Sequence, residues 1–319
     1  MPTERYSAEA TTLSGLPGLL LRDHVEGMQV TILDRGAEPV SLRRLDPISG
    51  QWRSFFARDA EVNPESPWQP LHCNHLGFHA HTLIEHQSPY GDGWVRGKGH
   101  GLLPAFPHRR IATRVEADRV YATHAIEPED YPRDLYPRSL AFTIEQGLRA
   151  GWFEVAYHVE NREADRPVHL SFGAHPAFPI VQPERFELRL APGAYRHWLI
   201  DAAVHLTGET HDFRVDADFV FPWTIASLSS PVLLELLDVP NASCVGVDPV
   251  SGLGVEIDLS DRPTINFWTR APNFVCMEPI WGLPDSARQR PFAEKLGIIE
   301  VPRGGRLTRR FRMRPFIAR

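Results

Sequence analysis

The sequence predicts an all-β protein, and three observations carry the prediction. Short runs rich in β-branched and aromatic residues recur along the whole chain, none longer than about eight residues. The 29 prolines and 23 glycines fall between these runs, as turns joining many strands require, and mark no disordered tract. Helical periodicity is scarce, with residues 285–296 the best candidate. Short strands at this spacing suggest a sandwich or barrel. No linker divides the chain and no internal repeat is visible, so residues 1–319 read as a single domain. A hydrophobic content of 42% is ample for a well-buried core at this length.

Taken in order, residues 1–13 read as a loose or edge segment. Strands follow at 19–22, 28–33, 40–45 and 52–57, with Gly36-Ala37-Glu38 as a turn. Residues 63–101 are loop-rich and carry Pro64, Pro67, Pro70 and Pro89, the histidines His72, His75, His79, His81 and His86, and glycines from Gly91 to Gly101. A loop region of that length inside a compact fold marks function or mobility. Strands resume at 110–116, 120–126 and 139–145, with a proline-rich acidic link at 127–137. Residues 152–160 read as one strand, 161–166 as a turn and 168–172 as the returning strand. Gly173 permits close backbone approach or an unusual φ, and Pro176 lacks an N–H for a ladder, so pairing is expected to stop or bulge there. The second half continues with strands at 186–190, 195–200, 225–228, 232–237, 244–248, 254–259, 264–269 and 274–277, the last closed by Pro279.

The bulk properties exclude several classes. A formal net charge of −6 gives no basic footprint for nucleic acid. No apolar run approaches the length of a membrane span. Residues 1–14 are polar and lack a basic-then-apolar leader pattern. Cys73, Cys244 and Cys276 are odd in number and widely spaced, which is no disulfide framework and favours a reducing cytoplasm.

Three places offer chemistry. His175, where a strand runs out, is an imidazole able to give or take a proton near neutral pH; the plain alternative is a histidine that caps a strand end. Glu278 is flanked by Cys276, Met277 and Ile280, and desolvation there would raise its pKa and make it a stronger base. Its plain alternative is an ion pair with Arg288 or Arg290. Finally, His79-Ala80-His81-Thr82-Leu83-Ile84-Glu85 has the H-x-H-x3-E spacing of a cupin metal site. His79 and His81 would share one face of a strand, and imidazole with carboxylate suits iron, manganese, nickel or zinc. A cupin needs a second motif, and none has convincing spacing, so the His72–His86 cluster is expected to hold no transition metal.

Phe172-Gly173-Ala174-His175-Pro176-Ala177-Phe178 resembles the G-x-H-P-x-F signature of the aldose 1-epimerase (galactose mutarotase) family. Gly99-His100-Gly101 resembles its upstream H-G motif, and 274–285 its bacterial E-P-W-x-G-x-x-D segment, with Glu278, Pro279, Trp281, Gly282 and Asp285. Gly36-Ala37-Glu38-Pro39-Val40-Ser41-Leu42 is similar to the early G-A-x-x-x-S-L stretch. The resemblance runs from about Gly36 to the end and is weakest between Asp46 and Lys98. It implies a large antiparallel β-supersandwich and interconversion of sugar anomers without metal or organic cofactor. It further implies Glu278 as base, His175 as acid and His100 as a ligand of the sugar. Trp281 is either core or an aromatic wall against the sugar. Asp218 falls near a sugar-binding aspartate of the family, with Asp216 nearly as good a match. The acidic limb of the pH profile would belong to Glu278 and the alkaline limb to His175. The implied partner is a small sugar. One departure stands out: neither Leu76-Gly77-Phe78-His79 nor the stretch after His100 carries the family's arginine, leaving Arg96, Arg109 and Arg110 as candidate substitutes.

Overall fold

The structure is a computed structural model that describes residues 4–66, 72–80, 87–97, 99–201, 206–217, 220–221, 231–269, 273–283, 285 and 290–318. Its strands, in chain order, begin with β1 (Tyr6–Leu13), β2 (Leu16–Asp23), β3 (Met28–Leu33), β4 (Pro39–Leu45) and β5 (Trp52–Ser54). Then come β6 (Cys73–Phe78), β7 (Gln87–Tyr90), β8 (Gly93–Arg96), β9 (Arg109–Val115), β10 (Val120–Ile126), β11 (Leu140–Arg149) and β12 (Trp152–Asn161). The next are β13 (Val168–Pro179), β14 (Glu187–Leu190), β15 (Gly193–Ile200), β16 (Leu206–Val215), β17 (Val232–Asp238) and β18 (Ser243–Asp248). The last are β19 (Leu253–Asp258), β20 (Thr264–Trp268), β21 (Phe274–Trp281), β22 (Ile299–Val301) and β23 (Arg306–Ile317). Among the described residues helical structure is limited to short 3-10 turns, and no helix is long and apolar enough to cross a membrane.

β1 to β5 form a five-stranded meander. An eight-stranded sheet follows the order β14-β18-β19-β23-β12-β11-β10-β9. A second large sheet runs β16-β15-β17-β20-β21-β13-β22, with β6 also paired to β13. All of the strand pairings are antiparallel. β7 and β8 form a two-stranded sheet, and one core takes side chains from all four described sheets, among them Leu19 and Val30, Ile144 and Tyr157, Phe172 and Val275, and Tyr90 and Val95. Between the two large sheets the seam is aromatic. Phe142 and Tyr157 meet Phe172 at 5.4 Å between ring centroids, and Trp281 stacks on Phe172 at 5.7 Å. Aromatic pairs of this kind add about 0.5–1.5 kcal/mol each beyond their area burial.

Alternation along β13 and β21 decides which residues leave that seam. Phe172 is the register partner of Trp281, and Gly173 that of Ile280. Side chains of successive strand residues point to opposite faces. Phe172, Val275, Met277 and Trp281 join the core between the sheets, whereas Ala177, Phe274 and Cys276 form a separate small cluster with Ala57 and Trp268. Glu278, two residues beyond Cys276, shares that second face.

Several sequence expectations need correction. β13 does not stop at Gly173 or Pro176, and β21 does not stop at Pro279. β13 stays in the sheet because it pairs with β6 through His175↔Asn74 and Pro176↔Cys73, while its β21 ladder is interrupted between Gly173 and Ala177. A missing N–H costs nothing where no ladder bond is made. The expected helix at 285–296 is, among its described residues, a 3-10 turn at Phe292–Glu294 preceded by Pro291. There the Asp285 carboxylate accepts from Leu296 N–H, and Lys295 Nζ donates to the Asp285 carbonyl. The expected strand at 225–228 lies outside the described residues.

Candidate functional site

His175 and Glu278 face each other across the interruption between β13 and β21. The register on both sides of the gap places them directly opposite, and His175 Nε2 lies 3.3 Å from Glu278 Oε1. Both are buried, His175 at 7% exposure and Glu278 at 1%. Neither carboxylate oxygen accepts a hydrogen bond of normal geometry from the described residues. Asn266, the cross-strand neighbour of Glu278 on β20, lies close enough to pull the carboxyl's pKa down, against the effect of burial. Gly173 permits the close strand approach: a Cβ there would fall 2.3 Å from the Pro279 carbonyl oxygen.

Burial dominates the electrostatics of the pair. It pushes the Glu278 carboxyl up to about 8, the Asn266 side chain pulling the other way. It pulls His175 down to about 4. The pair therefore keeps one proton over the neutral range, and burial favours its place on Glu278. These directions run opposite to the expectation that Glu278 owns the acidic limb and His175 the alkaline one. Two groups this close titrate as a unit, so the limbs belong to the pair.

His100 reaches the same place from a distant loop. Its ring lies 4.9 Å from that of His175, and burial, followed by repulsion from His175, pulls its pKa down to about 3, leaving a neutral hydrogen-bonding ring. The loop is clamped on β6: Gly77 N–H donates to the His100 carbonyl at 3.0 Å, and Leu102 N–H donates to the Gly77 carbonyl. Gly101 adopts φ +85, and a Cβ there would fall 2.1 Å from the Gly77 carbonyl oxygen, so only glycine fits. Trp268, the register partner of Cys276, meets His175 edge-on at 5.9 Å and is partly exposed.

Other predicted residues fall elsewhere. Trp281 is 5% exposed, donates from Nε1 to the Asp261 carbonyl and packs on Phe172, Tyr157 and Phe311, on the face of β21 opposite Glu278. That places Trp281 in the core; among the described aromatics, Trp268 is the one that meets His175. Asp218 lies outside the described residues. Arg109 pairs with Glu129 and Asp130, Arg110 with Asp34, and Arg96 is exposed on β8. Of the histidine-rich region, His81, Glu85 and His86 lie outside the described residues. His72 is buried and its Nε2–H donates to the Arg58 carbonyl, and His79 is buried next to β13.

His75 belongs to a support that sequence reasoning missed. Its Nδ1 lies 2.8 Å from Tyr157 Oη and its Nε2 3.2 Å from Gln146 Oε1. Gln146 donates to the Ala37 carbonyl at 2.7 Å, and Tyr157 donates to the Gly173 carbonyl at 2.9 Å, two residues before His175. Beside it Glu38 is fully buried, and desolvation pushes its carboxyl well above the usual range against the backbone N–H groups of Cys73 and His75. No local pattern marks these residues, because the partners are up to 109 positions apart.

No family model matches the chain. Among curated proteins it is similar to the plasmid-borne protein LacX of Lactococcus lactis, 22% identical over 280 residues, covering 83% of this chain and 88% of that one. Among solved structures it is similar to a galactose mutarotase-like protein from Clostridium acetobutylicum, with a TM-score of 0.77 at 14% identity over 99% of this chain and 100% of that one. A galactose mutarotase related enzyme from Lactobacillus acidophilus gives 0.74 at 18% identity over 97% of each chain. The fold is that of the galactose mutarotase-like proteins. An aldose epimerase homologue from C. elegans shares it too, with a TM-score of 0.67 at 13% identity over 92% of this chain and 97% of that one. On this mutarotase-like fold, His100, His175 and Glu278 come together from three separate segments, 75 and 103 positions apart by their numbers.

Proposed function

We propose that the protein is an aldose 1-epimerase that interconverts the α and β anomers of a free sugar. The observation that carries this reading is a buried carboxyl–imidazole pair, 3.3 Å apart, whose opposite pKa shifts leave it one proton to exchange near neutral pH. Anomer exchange needs that equipment. A base takes the proton from the C1 hydroxyl while an acid protonates the ring oxygen; the C1–O5 bond breaks and an aldehyde forms. Rotation about the C1–C2 bond and closure by the reverse steps give the other anomer, with no net gain or loss of protons.

Glu278 is the base and His175 the acid in the sugar complex. The carboxylate oxygens have no hydrogen-bond donor of normal geometry among the described residues. A sugar hydroxyl that donates to them stabilises the ionised form and moves the shared proton onto His175. The neutral His100 ring is placed to bond a sugar hydroxyl, and the Trp268 ring to cover a C–H face. The test is anomer exchange, followed by NMR or polarimetry over a panel of free aldoses with metal-stripped protein. Exchange above the spontaneous rate is expected. Sugar binding without exchange would replace the enzyme with a non-catalytic sugar-binding protein.

A further inference from the structure

Cys276 has no part in that chemistry, yet it stands beside the pair. His175, Cys276 and Glu278 each present one donor atom, the three atoms lie within 4.8 Å of one another, and all three residues are buried. Among the described residues no other trio of histidine, cysteine and carboxylate groups converges in this way. The histidine-rich loop region, where the sequence motif pointed, supplies no such trio from its described residues.

We propose that these three side chains form an inhibitory site for a thiophilic divalent cation, zinc first among them. The donor set is one thiolate, one imidazole and one carboxylate, a borderline-soft combination that suits zinc better than magnesium or calcium. Tetrahedral zinc with bonds of about 2.0–2.3 Å needs donors roughly 3.3–3.8 Å apart. The 3.3 Å between His175 Nε2 and Glu278 Oε1 already meets this, and the cysteine sulfur has at most about an ångström to close. The scaffold is stiff. Cys276 and Glu278 are alternate residues of β21, and His175 faces them from the adjoining β13. A second observation points to a ligand: among the described residues neither of the two buried Glu278 oxygens has a hydrogen-bond donor of normal geometry. Asn266 stands behind the carboxylate as an outer-shell partner.

The charges balance on binding. The thiol proton and the proton shared by Glu278 and His175 leave, and M²⁺ then meets one thiolate, one carboxylate and a neutral imidazole. The filled site carries no net charge, which is what a dry interior tolerates. Three protein ligands leave a fourth position for water. A cation here would tie up the base and the acid together, so it acts as an inhibitor and not as a cofactor. The inhibition rests on the acid–base reading; the binding does not.

The test uses full-length, metal-stripped protein titrated with Co²⁺ and Zn²⁺. One equivalent of Co²⁺ should give a sulfur-to-cobalt charge-transfer band, displaced by Zn²⁺. Cys276→Ala should abolish the band and weaken zinc by more than the about 10–100-fold typical of losing an outer-shell partner. Asn266→Ala should weaken it within that range. Glu278→Gln and His175→Asn should each weaken zinc as well, which keeps the test open if the cysteine variant folds poorly. Zinc should block anomer exchange in the wild type, and chelation should restore it, while Cys276→Ala should exchange at near wild-type rate and resist zinc. A cobalt spectrum without the sulfur band, or one that survives Cys276→Ala, overturns the site. If no sugar exchanges anomers, the spectra still decide the binding, and only the function falls.

Discussion

Glu278→Gln keeps the size of the side chain and removes its ionisation, so it separates two consequences of the same burial. The carboxyl is raised from 4.5 to about 8 and His175 is lowered from 6.5 to about 4. Between pH 4.5 and about 8 the folded protein keeps a Glu278 proton that the unfolded chain has released, so this group lowers stability as pH rises. Between about 4 and 6.5 the unfolded chain keeps a His175 proton that the folded protein lacks, so that group raises stability as pH rises. Where the windows overlap the slopes cancel. From 6.5 to about 8 only the glutamate acts, over one and a half pH units at about 1.4 kcal/mol each, or about 2 kcal/mol in all. That corresponds to about 4 °C in Tm for a chain of this size. Wild type should lose this much relative to Glu278→Gln between pH 6.5 and 8, in melts or urea titrations run with a chelator. The same variant should exchange anomers about 10²–10⁴-fold more slowly. Parallel stability curves over that window would show that Glu278 holds no proton in the sugar-free protein. Undiminished exchange would remove it as the base.

His175→Asn should also slow exchange by about 10²–10⁴-fold, and the double variant should be hardly slower than the poorer single one, because the pair acts as a unit. The wild-type exchange rate, with chelator present and the spontaneous rate subtracted, should be bell-shaped, rising through about 4 and falling through about 8. A flat profile across that range would argue against a shared proton. His100→Ala should raise KM at least as much as it lowers kcat, and Trp268→Ala should raise KM by several-fold to about tenfold, both read from exchange kinetics across sugar concentration. Gly101→Ala should destabilise by more than about 1 kcal/mol, because it forces a side chain into positive φ against the Gly77 carbonyl; a urea midpoint near wild type would contradict the close approach.

Local chemistry made much of this legible. The strands read at 120–126 and 28–33 coincide with β10 and β3. His175 and Glu278 stood out by residue type and flanking apolar residues, and by resemblance. What stayed hidden depended on pairing. β16 is exposed along most of its length, so no buried alternation marks it. In β23 five arginines mask the buried alternation of Phe311, Met313 and Pro315. Pro176 and Pro279 read as stops because the sequence does not say which neighbour their missing N–H would have faced. Trp281 read as either wall or core because choosing needs its parity with Glu278 on a strand that continues past Pro279. Trp268 and Cys276 became neighbours of the pair only through the β20–β21 register.

β23 lies between β19 and β12 in the middle of its sheet, with Phe153 paired to Met313 and Ile257 to the same residue from the other side. During synthesis, β9 to β12 and then β14, β18 and β19 emerge before the strand that joins them. Until residues 306–317 leave the ribosome, β12 and β19 each present an unpaired edge, the kind of surface that recruits strands from other chains. The sheet therefore closes only after nearly the whole described chain has been made, and nascent chains stalled before this segment should be the aggregation-prone form that chaperones must hold.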